Sequence, residues 1–189
     1  MVCIEHIQVS VDRKGVDMSV DAFRLMDYAT FLKHRYFDVL SKLSWEDLVR
    51  NRDASFSSIR DVFLHIVNVE DSYINYILAK KGGKYTPYDF NKFNSLDAIR
   101  RQMDEVEAKT KRCLSSITAE ELAAQFEWTR FDGTLMRGRG EDIITHLALE
   151  QIHHIGELIC LLWQINVEPP HIGWLQYLSQ TAQTTHTKG

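Results

Sequence analysis

Residues 141–165 read EDIITHLALEQIHHIGELICLLWQI, and this stretch decides the fold class of the 189-residue chain. It contains no proline, and its apolar positions recur at the three- and four-residue steps of an amphipathic helix. Those positions are Ile144, Leu147, Ile155, Leu158, Ile159 and Leu162. Two acidic residues open the stretch, where the helix dipole favours negative charge, and two prolines follow soon after its end. The sequence therefore predicts one long helix with a buried face.

Three polar residues form a stripe along this predicted helix. His146, Glu150 and His154 follow one another at intervals of four, so each lies about 6 Å above the last on one face. The neighbouring His153 lies about 100° further round the helix and is expected to point elsewhere. The stripe fits either a set of metal ligands or a hydrogen-bonded network in the core. A partner from another helix would favour the metal.

Three earlier amphipathic segments predict helices over about 20–43, 58–80 and 95–117. The third begins after Asn94-Ser95, and Thr118 with Glu121 forms a capping box that opens a further short turn. Asp132-Gly133 is a hairpin signal, but no strong strand pattern separates the long helices. The predicted fold class is therefore all-α, a four-helix bundle.

The chain length suits one domain with flanking segments. Alternation near the N-terminus predicts a short extended arm over residues 1–18. The bundle domain is expected over residues 19–180, with a short last helix after Pro169-Pro170, and residues 181–189 are expected to form a flexible tail.

Composition excludes several classes of protein. A net charge of −4, with scattered basic residues, argues against nucleic acid as a partner. No stretch reaches the about 18 apolar residues of a membrane span, and no signal peptide is recognised, so we expect a cytoplasmic protein without a membrane partner. Three widely spaced cysteines without a CxxC pattern argue against a disulfide framework and a cysteine-based zinc site.

The second predicted helix supplies the missing partner for the stripe. His65 lies on its core side, so it can meet the stripe if the second and fourth helices face each other. Bundle interiors are where metal sites are built from facing helices. A bound metal would also offset the cost of burying several polar groups together.

Three segments resemble those of the DinB/YfiT-like superfamily of metalloenzymes. They are LMDYATFLKHRYFDVLSKL (25–43), SFSSIRDVFLHIVNVEDSYI (55–74) and HLALEQIHHIGEL (146–158), and the resemblance runs from about Ala22 to Leu178. In that family one ligand is the histidine that follows the SIRD motif, and two more belong to H-x-x-N-H-x-x-x-H-R-G-Q. The resemblance implies a four-helix bundle that holds one divalent transition metal (Zn, Ni or Fe) through His65, Glu150 and His154.

The sequence departs from the family pattern at one ligand. Glu150 stands where the family has a histidine, while Ile155 and Glu157 replace the Arg and Gln of the motif and Gly156 matches. A carboxylate is a competent ligand for these metals, so the set can be a two-histidine-one-carboxylate site. The alternative is that the substitution marks a site that has lost its metal.

Three further residues are candidates to support the ligands. Asp61 lies one turn before His65 and could hold its second ring nitrogen, whereas His146 and Glu157 flank the ligand pair on the fourth helix. Each could instead be a solvated or ion-paired side chain, and Asp61 could simply serve the start of its helix.

The resemblance implies enzymatic activity on a small-molecule substrate. Family members include S-transferases that use low-molecular-weight thiols such as bacillithiol or mycothiol, a thiol-dependent maleylpyruvate isomerase and proteins called hydrolases. An alternative is a non-catalytic dimeric bundle, a stress-response binding protein with a degenerate site. A ferritin-like di-iron protein is a third possibility, but only one Glu-x-x-His motif occurs in the four helices. We expect a homodimer, because the apolar surface exceeds the needs of one bundle.

Overall fold

The computed structural model describes residues 21–53, 55–79, 85–130 and 132–186, so the predicted arm 1–18 lies outside the described residues. Its elements are α1 (Ala22–Leu40), α2 (Trp45–Val49), α3 (Ile59–Glu70), α4 (Leu96–Ser116), α5 (Ala119–Ala123), β1 (Gln125–Thr129), β2 (Leu135–Arg139), α6 (Gly140–Trp163) and α7 (Trp174–His186). The four long helices α1, α3, α4 and α6 confirm the predicted four-helix bundle. None of the helices in these ranges is long and apolar enough to cross a membrane.

Short polar side chains set where most of the helices begin. Each accepts a hydrogen bond from a backbone N–H in the first turn, where no carbonyl of the helix is available. These N-caps are Asp21 for α1, Ser44 for α2, Ser58 for α3, Ser95 for α4 and Thr118 for α5. The capping box of Thr118 and Glu121 is present as predicted.

The helix α3 does not end at Glu70 but continues as a π-helical segment, Asp71–Leu78. Its wider turn is rare in proteins and occurs mainly at functional sites. The sequence predicts an uninterrupted α-helix here. Over so short a segment, apolar residues repeat at nearly the same spacing in an α-helix and in a π-helix. The segment presents the tyrosine Tyr73 toward the fourth long helix, α6.

The core lies where α6 packs between α1 and α3. Two clusters of buried apolar side chains fill it, one toward each end of the bundle. The first includes Tyr36, Phe37, Phe63, Ile66, Leu158 and Leu162. The second includes Met26, Ile74, Trp128, Ile143, Ile144 and Leu147. The apolar face predicted for 141–165 is thus buried against both neighbouring helices.

Four polar residues, one from each long helix, form a connected group within this core. Lys33 of α1 forms ion pairs with Glu70 of α3 and with Glu107 of α4, the latter at 2.9 Å, and Gln151 of α6 donates to the Glu70 carboxylate at 2.9 Å. We call Lys33, Glu70, Glu107 and Gln151 the buried clamp. Burial lowers the pKa of the Lys33 ammonium, but the charges of Glu70 and Glu107 outweigh that effect and raise it. Lys33 therefore stays charged in the core.

The hairpin signal at Asp132-Gly133 is confirmed. β1 and β2 pair antiparallel from Gln125 opposite Arg139 to Thr129 opposite Leu135. Gly133 adopts a φ of +85°, a conformation that other residues rarely adopt, which explains the glycine at this turn.

The last helix is longer than the sequence predicts. α7 runs from Trp174 to His186, into the segment expected to be a tail. Its start is fixed by aromatic packing, since the rings of Trp174 and Tyr177 lie 5.3 and 5.2 Å from that of Tyr28 in α1. This anchor lets the polar residues that follow continue the helix.

Candidate metal centre

The structure brings the three candidate ligands together between α3 and α6. His65, Glu150 and His154 each offer one ligand atom, and these atoms all lie within 4.8 Å of one another. The Glu150 Oε1 atom lies 3.6 Å from Nε2 of His65 and 3.3 Å from Nε2 of His154. The i, i+4 spacing on α6 and the packing of α6 on α3 produce this arrangement.

The protonation states suit a cation. The Nε2 atom of His65 is buried, lies near the other two ligand atoms and has no hydrogen-bond partner among the described residues. Burial, with a contribution from His154, lowers the pKa of His65 to about 4. Its imidazole is therefore neutral at pH 7 and has a lone pair available for a metal.

The carboxylate of Glu150 is ionised for a related reason. Partial burial raises its pKa, but the neighbouring histidines His154 and His65 outweigh burial and hold the pKa below its usual value. A neutral imidazole and an ionised carboxylate are the states in which these groups bind metals. The residues present therefore fit a divalent transition metal.

Glu157 lies behind His154. Its Oε2 accepts a hydrogen bond from the Nδ1 of His154 at 3.1 Å and from the Ser55 hydroxyl at 2.7 Å, and Oε1 accepts from the Ser55 backbone N–H at 2.8 Å. A carboxylate on Nδ1 fixes the ring orientation, so that Nε2 points at Glu150. The pKa of Glu157, which burial raises, is held low by these hydrogen bonds.

The two other supporting candidates make no hydrogen bond to the ligands among the described residues. Asp61 accepts from Arg60 Nε at 2.7 Å, and its carboxylate makes no hydrogen bond with His65 in the part of the chain described. The adjacent guanidinium is a stronger partner than a neutral imidazole, so the prediction for Asp61 is corrected. His146 is exposed, its Nε2 lies 3.2 Å from the hydroxyl of Tyr73, and it lines the cavity that His65 and Glu150 border. His153 is exposed, as predicted from its angle on the helix.

Phe56 covers the ligand set from the loop before α3. Its ring stacks on that of His65 with centroids 4.0 Å apart and meets the ring of His154 at 5.5 Å. This apolar cover shields one side of the site from water, which strengthens electrostatic interactions within it.

A cavity of about 340 Å³ adjoins the ligand set. His65 and Glu150 line one side of it, the hairpin residues Trp128 and Arg130 line another, and Tyr73 belongs to its wall. Its volume falls within the about 300–1,000 Å³ of typical small-molecule sites. The candidate ligands thus border a space that can hold a small molecule.

Residues 85–93, between the π-helical segment and α4, form what we call the aromatic loop, and this loop contributes to another wall of the cavity. Asn68 Oδ1 accepts from the Tyr88 backbone N–H at 2.9 Å and from the Tyr85 hydroxyl at 3.1 Å, while Asp71 accepts from the Tyr88 hydroxyl at 2.9 Å. Through these contacts residues 85–88 of the loop pack on the bundle. Tyr85 and Pro87 line the cavity as a result.

Sequence reasoning missed the residues that complete the site. Tyr73 lies about two helical turns after His65, so its spacing from the histidine was a usable signal. Ser55 was not predictable, because it contacts a residue 102 positions away. Arg130 lies beside the hairpin signal, but nothing local links a hairpin to the metal ligands.

Known proteins similar to this chain were found by sequence and by structure. The YizA protein of Bacillus subtilis (strain 168), which is uncharacterized, is 23% identical over 146 residues, covering 77% of this chain and 89% of its own. A DinB-like protein of Bacillus cereus ATCC 10987 aligns with a TM-score of 0.62 at 21% identity, over 80% of this chain and 95% of its own.

A second solved structure is also similar. YfiT of Bacillus subtilis, a probable metal-dependent hydrolase with an unusual four-helix bundle topology, aligns with a TM-score of 0.58 at 14% identity. The alignment covers 81% of this chain and 94% of YfiT. At these identities the two structures support the four-helix bundle fold. The DinB family model matches residues 18–186, nearly the whole chain, and this protein therefore belongs to the DinB family.

Proposed function

We propose that this protein is a metal-dependent enzyme that holds one divalent transition metal (Zn, Ni or Fe) through His65, Glu150 and His154. The observation that carries the proposal is the buried Nε2 of His65, which faces two further ligand atoms and has no hydrogen-bond partner among the described residues. Burying such a group unpaired is costly, and a cation between the three side chains would remove that cost.

The donor set defines the kind of site. Two neutral imidazoles and one carboxylate give a divalent metal a net charge of about +1 and leave coordination positions open to other ligands. A metal bound there supplies Lewis acidity that lowers the pKa of a thiol or water held against it, so that a nucleophile forms at neutral pH.

Residues around the site orient the candidate ligands and shield them from water. Glu157 fixes the ring of His154, and Phe56 excludes water from the outer side of His65. Burial and the charge of Glu150 raise the pKa of Tyr73, so its hydroxyl keeps its proton at neutral pH. Tyr73 can therefore donate a hydrogen bond to a substrate in the cavity, while His146 holds the hydroxyl in place.

Two reactions are compatible with this arrangement. A low-molecular-weight thiol as nucleophile gives an S-transferase, and water as nucleophile gives a hydrolase. The structurally similar YfiT is described as a probable metal-dependent hydrolase, which supports the hydrolase reaction. A substrate screen on metal-loaded protein distinguishes the two reactions. A transferase would consume a thiol together with an acceptor, whereas a hydrolase would cleave esters or amides.

A second candidate function is a non-catalytic dimeric bundle with a degenerate site. Direct contacts within the cluster favour it, since His154 already meets Glu150 at 3.3 Å and Glu157 at 3.1 Å. In this case the polar residues form a core network and stability does not respond to metal.

Elemental analysis tests the proposal. Wild type, Glu150→Ala and the control His153→Ala, all purified without a metal-affinity tag, are compared for metal per chain after incubation with Zn, Ni or Fe(II). We expect about one metal per chain in wild type and control, and a sharp loss in Glu150→Ala. A metal-free wild type that also shows no gain in melting temperature with metal would refute the metal-dependent function and favour the network.

A further inference from the structure

A second cavity, of about 160 Å³, lies between the hairpin and the first turns of α6. We call it the hairpin chamber, and we call the cavity beside the candidate ligands the metal cavity. Four residues line both spaces, namely Tyr73, Trp128, Met136 and His146. The two spaces are therefore neighbours that share a wall, and a ligand of the metal cavity has a second space within reach.

A pair of side chains forms part of the shared wall. The Nε2 atom of His146 lies 3.2 Å from the hydroxyl of Tyr73, and the Tyr73 ring lies 6.0 Å from that of Trp128 in β1. His146 is exposed. Because exposed side chains change rotamer on the picosecond to nanosecond timescale, this part of the wall does not seal the two spaces from each other.

Gly138 leaves the space that forms the hairpin chamber. Burial alternates along β2, so Met136 and Gly138 face the bundle while the residues between and beside them are exposed. A Cβ atom on Gly138 would lie 3.4 Å from the Trp128 ring and 3.7 Å from the Ile143 side chain, within ordinary van der Waals contact. A side chain is thus missing at a position where the neighbouring atoms would tolerate its first carbon.

The backbone does not explain this glycine either. Among the described residues the glycine with a positive φ is Gly133, at the turn of the hairpin, so the conformation at Gly138 is open to other residues. A glycine within a strand weakens it and often marks a place where a ligand approaches closely. The position of Gly138 in the lining of the hairpin chamber fits that second role.

The inner part of the hairpin chamber is apolar. Trp128 and Ile143 are buried, whereas the charged lining residues Arg137 and Asp142 are exposed and so border its opening. A polar group placed inside would give up hydrogen bonds to water, so the space favours an apolar group. Its volume of about 160 Å³ is close to the roughly 150 Å³ of an apolar protein cavity that takes up benzene.

We propose that the hairpin chamber is a subsite for a phenyl-sized apolar group of the substrate, whose polar end binds at the metal. The inference rests on the proposed function and adds the substrate class, a compound that joins an aromatic ring to a metal-binding group. Tyr73 lines both spaces, so it borders the part of such a molecule that links its two ends. The alternative is an unused gap beside the hairpin, in which case filling it does not affect binding.

Fragment binding to metal-free protein tests the hairpin chamber by itself. The probe is 4-fluorobenzyl alcohol, followed by fluorine NMR. Gly138→Val fills the space with a side chain that suits a strand and should melt no lower than wild type. The control Leu135→Val changes an exposed residue of β2 outside both linings. We expect saturable binding to wild type and control, a loss of about tenfold or more in Gly138→Val, and a smaller loss in Gly138→Ala.

Hydroxamates bound to cobalt-loaded protein test the link to the metal cavity. Phenylalkyl hydroxamates of increasing chain length are compared with acetohydroxamate, which binds metals and lacks the ring. Binding is followed by the visible absorption of cobalt and requires no turnover. We expect the best member to bind wild type about tenfold or more tightly than acetohydroxamate, as burial of a ring predicts. In Gly138→Val the advantage should fall within about twofold, while acetohydroxamate binds as before.

The outcomes separate this inference from the proposed function. A fragment that does not bind wild type, equal binding in Gly138→Val, or no advantage of the ring in cobalt-loaded wild type overturns the subsite and leaves the metal site standing. Cobalt that does not bind, while the fragment still depends on Gly138, overturns the proposed function and with it the role of the hairpin chamber as a substrate subsite.

Discussion

Replacing Lys33 of the buried clamp with methionine tests whether the bundle depends on a charge in its core. The side chains of Lys33 and Glu70 are both fully buried, and Glu107 is about one-fifth exposed. Methionine has a similar length and fills the same space, so the change removes the charge and little volume. Of its partners among the described residues, Glu70 then keeps the hydrogen bond from Gln151.

The size of the effect follows from the partner that remains. Removing one member of a buried ion pair typically costs about 3–5 kcal/mol, because the other charge stays buried without compensation. Since about 1 kcal/mol shifts the melting temperature of a domain of this size by roughly 2–4 °C, we expect a fall of about 6–20 °C. Glu107 should contribute less, because it retains His34 at 2.8 Å.

Denaturant titration and calorimetry measure this loss, with Lys109→Met as the matched control. Lys109 forms an exposed i, i+4 pair with Glu105 on α4, and its replacement should change the free energy of unfolding by less than about 0.5 kcal/mol. The double variant Lys33→Met/Glu70→Met removes both charges and should recover much of the loss.

A loss below about 1 kcal/mol in Lys33→Met would refute this reasoning. It would mean that the remaining carboxylate of Glu70 is not left uncompensated in the core. A double variant no more stable than the single one would also contradict it, because the penalty would then not come from the unpaired charge.

Other predictions concern the candidate metal centre, two glycines and the exposed side of α1 at His34. Glu157→Gln should weaken metal binding by about 10- to 100-fold in chelator competition, because it loses the charge behind the ligand imidazole; unchanged affinity would exclude that support. Gly140→Ala should cost about 1–3 kcal/mol, since a Cβ there would lie 2.5 Å from a backbone oxygen, whereas Gly156→Ala faces open space and should gain about 0.5–1 kcal/mol, both by denaturant titration. The hydrogen bond to Glu107 raises the pKa of His34, so its stabilisation is complete below the unfolded pKa of about 6.5 and is lost as pH rises through the folded value. His34→Ala should therefore destabilise by a few tenths of a kcal/mol at pH 6 and not at pH 9, and equal losses at both would contradict the assignment.

The parts of the fold that depend on local signals were predictable. The period of 141–165 gave the long helix α6, and the four-residue spacing placed Glu150 and His154 on one face. The capping box at Thr118 and the glycine turn at Gly133 depend on a few adjacent residues, and both are present. The placement of His65 opposite this face followed from its position on the apolar side of α3.

Other features depend on partners that are distant in sequence. Lys33 falls on the apolar stripe of α1, so a charge at a core position was a visible signal, but its partners lie on other helices. Asp61 had two chemically reasonable partners, Arg60 and His65. The folded structure pairs it with Arg60, and the sequence alone does not distinguish the two. The π-helical segment Asp71–Leu78 has an ordinary helical composition, so the local sequence does not distinguish it.

The three candidate ligands are all carried by the helices α3 and α6, whereas much of the cavity wall comes from the hairpin and the aromatic loop. Helices hold a reactive centre rigidly, and connecting segments tolerate changes in sequence and length. The hairpin over residues 125–139 can therefore change in sequence without displacing the candidate ligands. Under the proposed function, such changes would alter which molecules the cavity accepts while the candidate ligands keep their positions.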